Sequence, residues 1–281
     1  VFENRPIYNV TQALQGTAAG VNVVQNSGKP GQALNIKIRG NNSISSGVDP
    51  LYVVDGIQTK DISGINPDDI VDMTILKDAT STAIYGINGS AGVVIVTTKR
   101  GKANKPQLNF NAYWGVSNKV DNVDVLNLEQ YKDLISEINP AWLNTINDPM
   151  YAGINTDWVK KVYRTGFDQN YNVNYAFGNE NVRAYTALGY QNIQGIVSPS
   201  DFARTSAKVN LDAKITNWLK VTSSLNYMNT SLNNTADNNA GAQGGVILSA
   251  LTTPTFMPAY GSEVKVRPTD GSGNYLNGYK D

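Results

Sequence analysis

Residues 107–116, QLNFNAYWGV, put Leu108, Phe110, Ala112, Trp114 and Val116 on one side of an extended chain and Gln107, Asn109, Asn111, Tyr113 and Gly115 on the other. Successive side chains of a strand point to opposite faces, so this alternation is the signature of a β-strand with one apolar side. The design recurs downstream. Residues 170–178 set Tyr171, Val173, Tyr175 and Phe177 against Asn170, Asn172 and Asn174, and residues 182–191 repeat the pattern with Arg183 on the polar side. Residues 205–215 alternate Ala207, Val209, Leu211 and Ala213 with Lys208, Asn210, Asp212 and Lys214. Residues 218–227 alternate Leu219, Val221, Leu225 and Tyr227 with Lys220, Thr222 and Asn226. Each stretch is about ten residues long, the span a tilted strand needs to cross a bilayer's hydrocarbon core, whereas strands of a soluble sandwich run to about 5–6. The gaps alternate as well: long at 117–169, 192–204 and from 228 onward, short at 179–181 and 216–217. Outer-membrane barrels alternate long extracellular loops with short periplasmic turns in this way. The expectation for 106–281 is antiparallel transmembrane β-barrel strands with long extracellular loops. The barrel is incomplete, because five strands cannot close one.

Upstream of residue 106 the period changes. Residues 9–20 (NVTQALQGTAAG) read as a brief helix ending in glycine, and 78–86 (DATSTAIYG) as a second with Asp78 as N-cap. Short Val- and Ile-rich runs at 34–39, 51–55, 70–76 and 92–99, punctuated by Gly, Pro and Asn, predict strands that form one small sheet. Residues 1–105 are thus expected to form an α+β domain. Within the first long gap, residues 127–138 (NLEQYKDLISEI) have the spacing of an amphipathic helix.

Composition excludes several functions. Lys plus Arg and Asp plus Glu both number 23, so no net field draws nucleic acid, which is not an expected partner. Cysteine and histidine are both absent, removing thiol nucleophiles, the commonest general base and the commonest transition-metal ligands. No paired carboxylates replace them. The chain is not expected to be an enzyme or to carry a cofactor. No run of 18 apolar residues occurs, which leaves strands rather than a helix as the means of crossing a membrane. The first residues, VFENRP, show no signal-peptide pattern.

Individual motifs read mostly as structure. Gly86, Gly89 and Gly92 follow a helix and precede a strand, the reverse of a dinucleotide-binding loop, so close backbone packing is their expected role. Asp55-Gly56 after LYVV reads as a strand-ending turn. Asp270, Ser272, Asn274 and Asp281 approximate calcium-loop spacing, but Tyr275 stands where the turn needs glycine and the closing Glu is missing, so no metal is expected there.

Longer stretches carry a resemblance. Residues 14–44 (LQGTAAGVNVVQNSGKPGQALNIKIRGNNSI), 49–57 (DPLYVVDGI) and 68–102 (DDIVDMTILKDATSTAIYGINGSAGVVIVTTKRGK) resemble successive plug motifs of the SusC/RagA group of TonB-dependent outer-membrane transporters. DWVKKVYRTG (157–166), YTALGYQNIQG (185–195) and FARTSAKVNLDAKITNWLKV (202–221) resemble the group's first barrel strands. The resemblance implies a plug over 1–105 inside a barrel of roughly 22 strands, located in the bacterial outer membrane. It implies opening by the TonB complex, whose contact segment lies outside this chain, and a SusD-type surface lipoprotein as partner. The implied cargo is an oligosaccharide, with an oligopeptide as the alternative; outside the family, a soluble β-sandwich adhesin or binding module is the rival reading. Asn41, Asn42 and Ser43 on a plug loop and Trp142, Tyr151 and Trp158 in the first long gap are the candidate substrate contacts. Arg39 and Arg100 are candidates for ion pairs between plug and barrel.

Overall fold

The computed structural model describes residues 10–14, 21–24, 28–32, 34–38, 49–120, 124–235 and 245–260. They fall into two compact units, one comprising 1–116, 167–195 and 200–233, the other 117–166, 196–199 and 234–281.

In the first unit, β1 (Val21–Val24) and β2 (Asn35–Ile38) pair antiparallel as a two-stranded sheet, with Val21 opposite Ile38. Four further strands, β3 (Leu51–Val54), β4 (Ile57–Thr59), β5 (Ile70–Leu76) and β6 (Val93–Thr98), form a separate sheet in the order β4-β3-β6-β5. Strands β3 and β6 run parallel, while β4 and β5 each pair antiparallel with their neighbour. The expected single sheet is therefore two. Neither β1 nor β4 stood out in the sequence; β4 is three residues long, too short for a period to show. One apolar core joins the two sheets: Val10, Leu14, Val23, Leu34, Ile36 and Ile38 pack with Tyr52, Ile62, Ile70, Val94 and Val96. Burying each such side chain contributes roughly 1.5–3 kcal/mol over leaving it in water.

Asp55 and Gly56 form the two-residue turn between β3 and β4 with φ of 49° and 92°. Positive φ at both positions defines a type I′ hairpin turn, which Asp-Gly suits. The expected helix at 9–20 is a 3-10 turn over Val10–Leu14 among the described residues. The second is a single α turn, α1 (Ala79–Thr82), continued by a 3-10 segment Ala83–Gly89. Gly92 has φ of 102°, and a Cβ there would lie 2.9 Å from the Ile38 side chain, so this glycine permits both the turn and the close approach.

The remaining strands of this unit form an up-and-down meander. β7 (Gln107–Ser117), β8 (Gly166–Gly178), β9 (Val182–Gln194), β10 (Asp201–Lys214) and β11 (Lys220–Asn233) are hydrogen-bonded in chain order. β8 through β11 pair antiparallel. Side-chain bonds from Asn109 to Asn174 and from Trp114 to Tyr171 run β7 antiparallel to β8 as well. The strands exceed the expected ten residues because their polar ends keep the ladder: Asn192 pairs with Ala203 and Gln194 with Asp201. The expected long gap at 192–204 thereby shrinks to 195–200, little longer than the turn at 215–219. Length contrast thus marks only the gaps after β7 and β8 clearly. The sheet is inside-out: Phe167, Tyr175, Phe177, Leu188 and Val209 are exposed, while Asp168, Asn172, Asn174, Gln191, Lys208 and Asn210 are buried.

In the second unit, α2 (Leu128–Ile138) starts with a capping box in which Asn127 and Gln130 bond each other's backbone N–H. Short helices α3 (Leu143–Ile146), α4 (Trp158–Val162) and α5 (Val246–Thr252) follow. Phe256 is buried, with the rings of Tyr131 and Tyr151 at 6.1 and 5.3 Å. No helix among the described residues is long and apolar enough to cross a membrane, which leaves the strands untouched by that test.

Candidate functional site

Alternate residues of β10 face the small domain formed by β1–β6: Phe202, against Gly31, and then Arg204, Ser206, Lys208, Asn210 and Asp212. All five after Phe202 are polar. A buried polar or charged group is tolerated only with a partner, and the opposing surface provides them.

The turn residue Asp55 accepts from Thr98 N–H (2.9 Å) and from Thr98 Oγ1 (2.5 Å), tying the β3–β4 turn to the end of β6. Lys208 Nζ lies 4.0 Å from Asp55 Oδ2, with the two side chains only 4 and 7 % exposed. Next along β10, Asn210 Nδ2 donates to Lys99 O (2.7 Å) and Thr98 Oγ1 (3.2 Å), while its Oδ1 accepts from Ser224 of β11 (2.6 Å). Arg100 Nη1 donates to Asp212 Oδ1 at 3.0 Å, and Thr222 donates to the same oxygen (2.9 Å). At the other end, Arg204 Nη1 reaches Ser63 O at 3.4 Å.

A second anchor is on β9. Tyr185, 1 % exposed, donates its hydroxyl to Asp69 Oδ1 at 2.8 Å. Asp69 closes the 3-10 turn Pro67–Asp69, where Asn66 Oδ1 caps Asp68 N–H (3.1 Å) and Asp69 O accepts from Lys99 N–H (2.8 Å). Burial pushes the Asp69 carboxyl up from its usual range, against the lowering influence of Tyr185, Lys208 and Lys99. Asp68 is raised for the same reason, opposed by Lys99 and Arg204.

Backbone also meets backbone. Asn104 N–H donates to Gly178 O (2.9 Å), and a Cβ on Gly101 would fall 2.5 Å from both N and O of Ala184. The peptide can approach this closely only without a side chain.

Of the sequence candidates, Arg100 is at this face, bonded to Asp212. Trp158 donates its indole N–H to Pro254 O (3.0 Å), Tyr151 packs edge-on against Phe256, and Trp142 is 46 % exposed, all in the second unit. Arg39, Asn41, Asn42, Ser43, Asp270, Ser272, Asn274 and Asp281 lie outside the described residues. From the sequence Asp55 reads only as a turn residue, and Asp69, Tyr185, Arg204, Lys208 and Asn210 are not predicted as site residues. For the three on β10 the signal is the polar row from Arg204 to Asp212 on one face of a strand whose other face is mostly apolar.

Residues 1–93 match the TonB-dependent receptor plug domain. Over 96 % of its length the chain is 34 % identical to the TonB-dependent receptor SusC of Bacteroides thetaiotaomicron, of which it spans 27 %. It is 38 % identical to the TonB-dependent receptor P26 of Formosa agariphila over 79 % of the chain and 23 % of that relative. It superposes on a chain of the RagAB peptide importer in its open-open state with a TM-score of 0.79 and 26 % identity, covering 90 % of this chain and 32 % of that one. The chain belongs to the SusC/RagA-type TonB-dependent transporters. Its α+β domain is the plug and β7–β11 are barrel-wall strands, so the polar face is where plug meets wall. Proteins of this family reside in the outer membrane and are transporters rather than enzymes.

Proposed function

We propose that this chain supplies the gate of an importer that moves an oligosaccharide across the outer membrane, energised by the TonB complex and served by a SusD-type surface lipoprotein. An oligopeptide is the alternative cargo, the class named for RagAB. The observation that carries the reading is the chemistry of the plug–wall face. A protein hydrogen bond contributes roughly 0.5–1.5 kcal/mol net, and a partly exposed ion pair such as Arg100–Asp212 about 0–1. Water can replace each of these bonds when the plug shifts. An apolar joint would instead lose about 25 cal/mol for every Å² rewetted. A polar joint therefore holds the plug at rest and releases it under load. Cargo binds outside, the lipoprotein closes over it, and TonB rearranges the plug to open a path.

The gaps after β7, β9 and β11 lie on the extracellular side in this reading, where Trp142 offers a half-exposed ring for stacking on a sugar. Asn41, Asn42 and Ser43 are the proposed cargo contacts from the plug, and Arg39 is a proposed ion-pair partner of the wall. The test uses the full-length transporter expressed with its lipoprotein. A screen of glycans and peptides should yield a bound cargo whose uptake ceases when TonB is deleted, and the lipoprotein should co-purify in equal amount. In the same cells Asn147→Cys should react with an impermeant maleimide and Asn217→Cys should not. Uptake indifferent to TonB would overturn the proposal.

A further inference from the structure

Strands β8 and β10 show the plug opposite chemistries. β10 offers Arg204, Lys208 and Asp212, bonded or paired to plug residues as described. Successive inward positions on β8 are Asp168, Asn170, Asn172 and Asn174, and β9 places Gln191 opposite Asn170. Asp168, at the start of the strand, is buried and acidic; the other four are neutral. Asn172, Asn174 and Gln191 are 1, 2 and 2 % exposed, yet no bond joins them to the plug among the described residues. They bond along the wall instead: Asn174 Nδ2 donates to Asn172 Oδ1 (3.2 Å), and Asn109 Nδ2 of β7 donates to Asn174 Oδ1 (2.9 Å). Asn172 Nδ2 and both amide atoms of Gln191 have no partner among the described residues. Gly189, between Asn172 and Ser206 in register, adds no side chain. A Cβ there would meet Asn66 Nδ2 at 2.5 Å, Ser206 Oγ at 2.7 Å and Asn172 Nδ2 at 3.4 Å, so uncharged polar groups from plug and wall converge over it.

Three orphaned amide atoms in so small an area are expensive for a fold whose neighbouring strand leaves its charges paired. We propose that the strip Asn170–Asn172–Asn174 with Gln191 is the lining of the passage that opens when the plug moves, and that it binds a neutral, hydroxyl-rich oligosaccharide in transit. Carboxamides offer donors and acceptors side by side, the complement of a sugar hydroxyl, whereas the charged groups of a peptide find no counter-charge between Asn170 and Asn174. The ionic contacts of β10 make that side the one on which the plug stays seated. This inference rests on the transporter reading and adds where the gate opens and what passes.

The test works whatever the cargo is. Because this chain has no cysteine, Asn172→Cys and Asn210→Cys can be introduced singly into the full-length transporter in cells with and without TonB. With TonB active, a neutral hydroxyethyl methanethiosulfonate should modify Asn172→Cys roughly tenfold faster than without it, reflecting the population of an open state, while Asn210→Cys stays protected. Relative to a free thiol, the sulfonate and ammonium analogues should react more slowly at Asn172→Cys than the neutral reagent. Faster modification of Asn210→Cys, or equal rates with charged and neutral reagents, would sink the inference and leave the transporter reading standing. Uptake that persists without TonB removes the transporter reading itself. If Asn172→Cys fails to reach the membrane, Asn174→Cys answers the same question.

Discussion

The plug buries Val10, Ile36, Ile38, Val94 and Val96 against one another, while the wall exposes Leu188, Val209 and Leu225 and buries Asn172, Lys208 and Asn210. The two regions bury residues of opposite kinds, because one must be compact by itself and the other must satisfy lipid on its outer side and a polar partner within. The surface they share is therefore mainly polar, with Phe202 over Gly31 and Met228 over Gly64 as apolar contacts. Cohesion inside the plug is hydrophobic and cohesion between plug and wall is chiefly hydrogen-bonded and ionic, so substitutions on the two should differ in kind as well as size.

The largest effect is expected in the plug core. Val94→Asp puts a carboxylate where the native side chain has no exposure and its neighbours in the core are apolar, and should cost about 3–5 kcal/mol. Limited proteolysis of the full-length transporter should then cut the plug and leave the barrel whole. A plug as resistant as the wild type's would show that the core is looser than its burial suggests.

A smaller effect should come from the joint. The Cβ of Gly101→Ala collides with the backbone of Ala184, which cannot swing aside, and overpacking of this sort costs about 1–3 kcal/mol. Gly189→Ala meets side-chain ends of Asn66 and Ser206, which can rotate, and should cost less. Thermal melting of the two variants ranks them; the reverse order would mean that the wall, and not the plug's last turn, fixes their separation.

How far the sequence carried these distinctions depended on range. The alternation of β7–β11 was legible because a strand's period is two and each face meets one solvent. Strand ends were not, since Asn192 and Asp201 look like loop residues but complete a ladder that backbone groups alone sustain. At the site, the polar row on β10 was visible as a pattern. Its partners were not, because Arg100 meets Asp212 across 112 positions and Tyr185 meets Asp69 across 116, distances over which one sequence holds no pairing information.

The smallest expected effect is a change of slope. Burial raises the Asp68 and Asp69 carboxyls above their unfolded values, so between the unfolded and the raised value the docked plug holds protons that the unfolded chain has lost. The contribution of these groups to stability is therefore greatest at low pH and declines as pH rises through the raised range. Asp69→Asn keeps an acceptor for the Tyr185 hydroxyl and removes one titrating group. Melting temperatures measured from about pH 4 to 8 should fall less steeply with pH in this variant than in the wild type. A steeper fall would assign Asp69 a lowered rather than a raised value.

Asp55 is a single residue under two unrelated demands. Its left-handed backbone forms the turn with Gly56, and its carboxylate meets Thr98 within the plug and Lys208 on the wall. Asparagine would serve the turn without the charge, and glutamate would keep the charge but fit the turn poorly. Plug and wall are therefore not interchangeable modules. A chimaera that grafts this plug into another transporter's barrel inherits a buried carboxylate, and it should seat properly only in barrels that carry a cation at the position of Lys208.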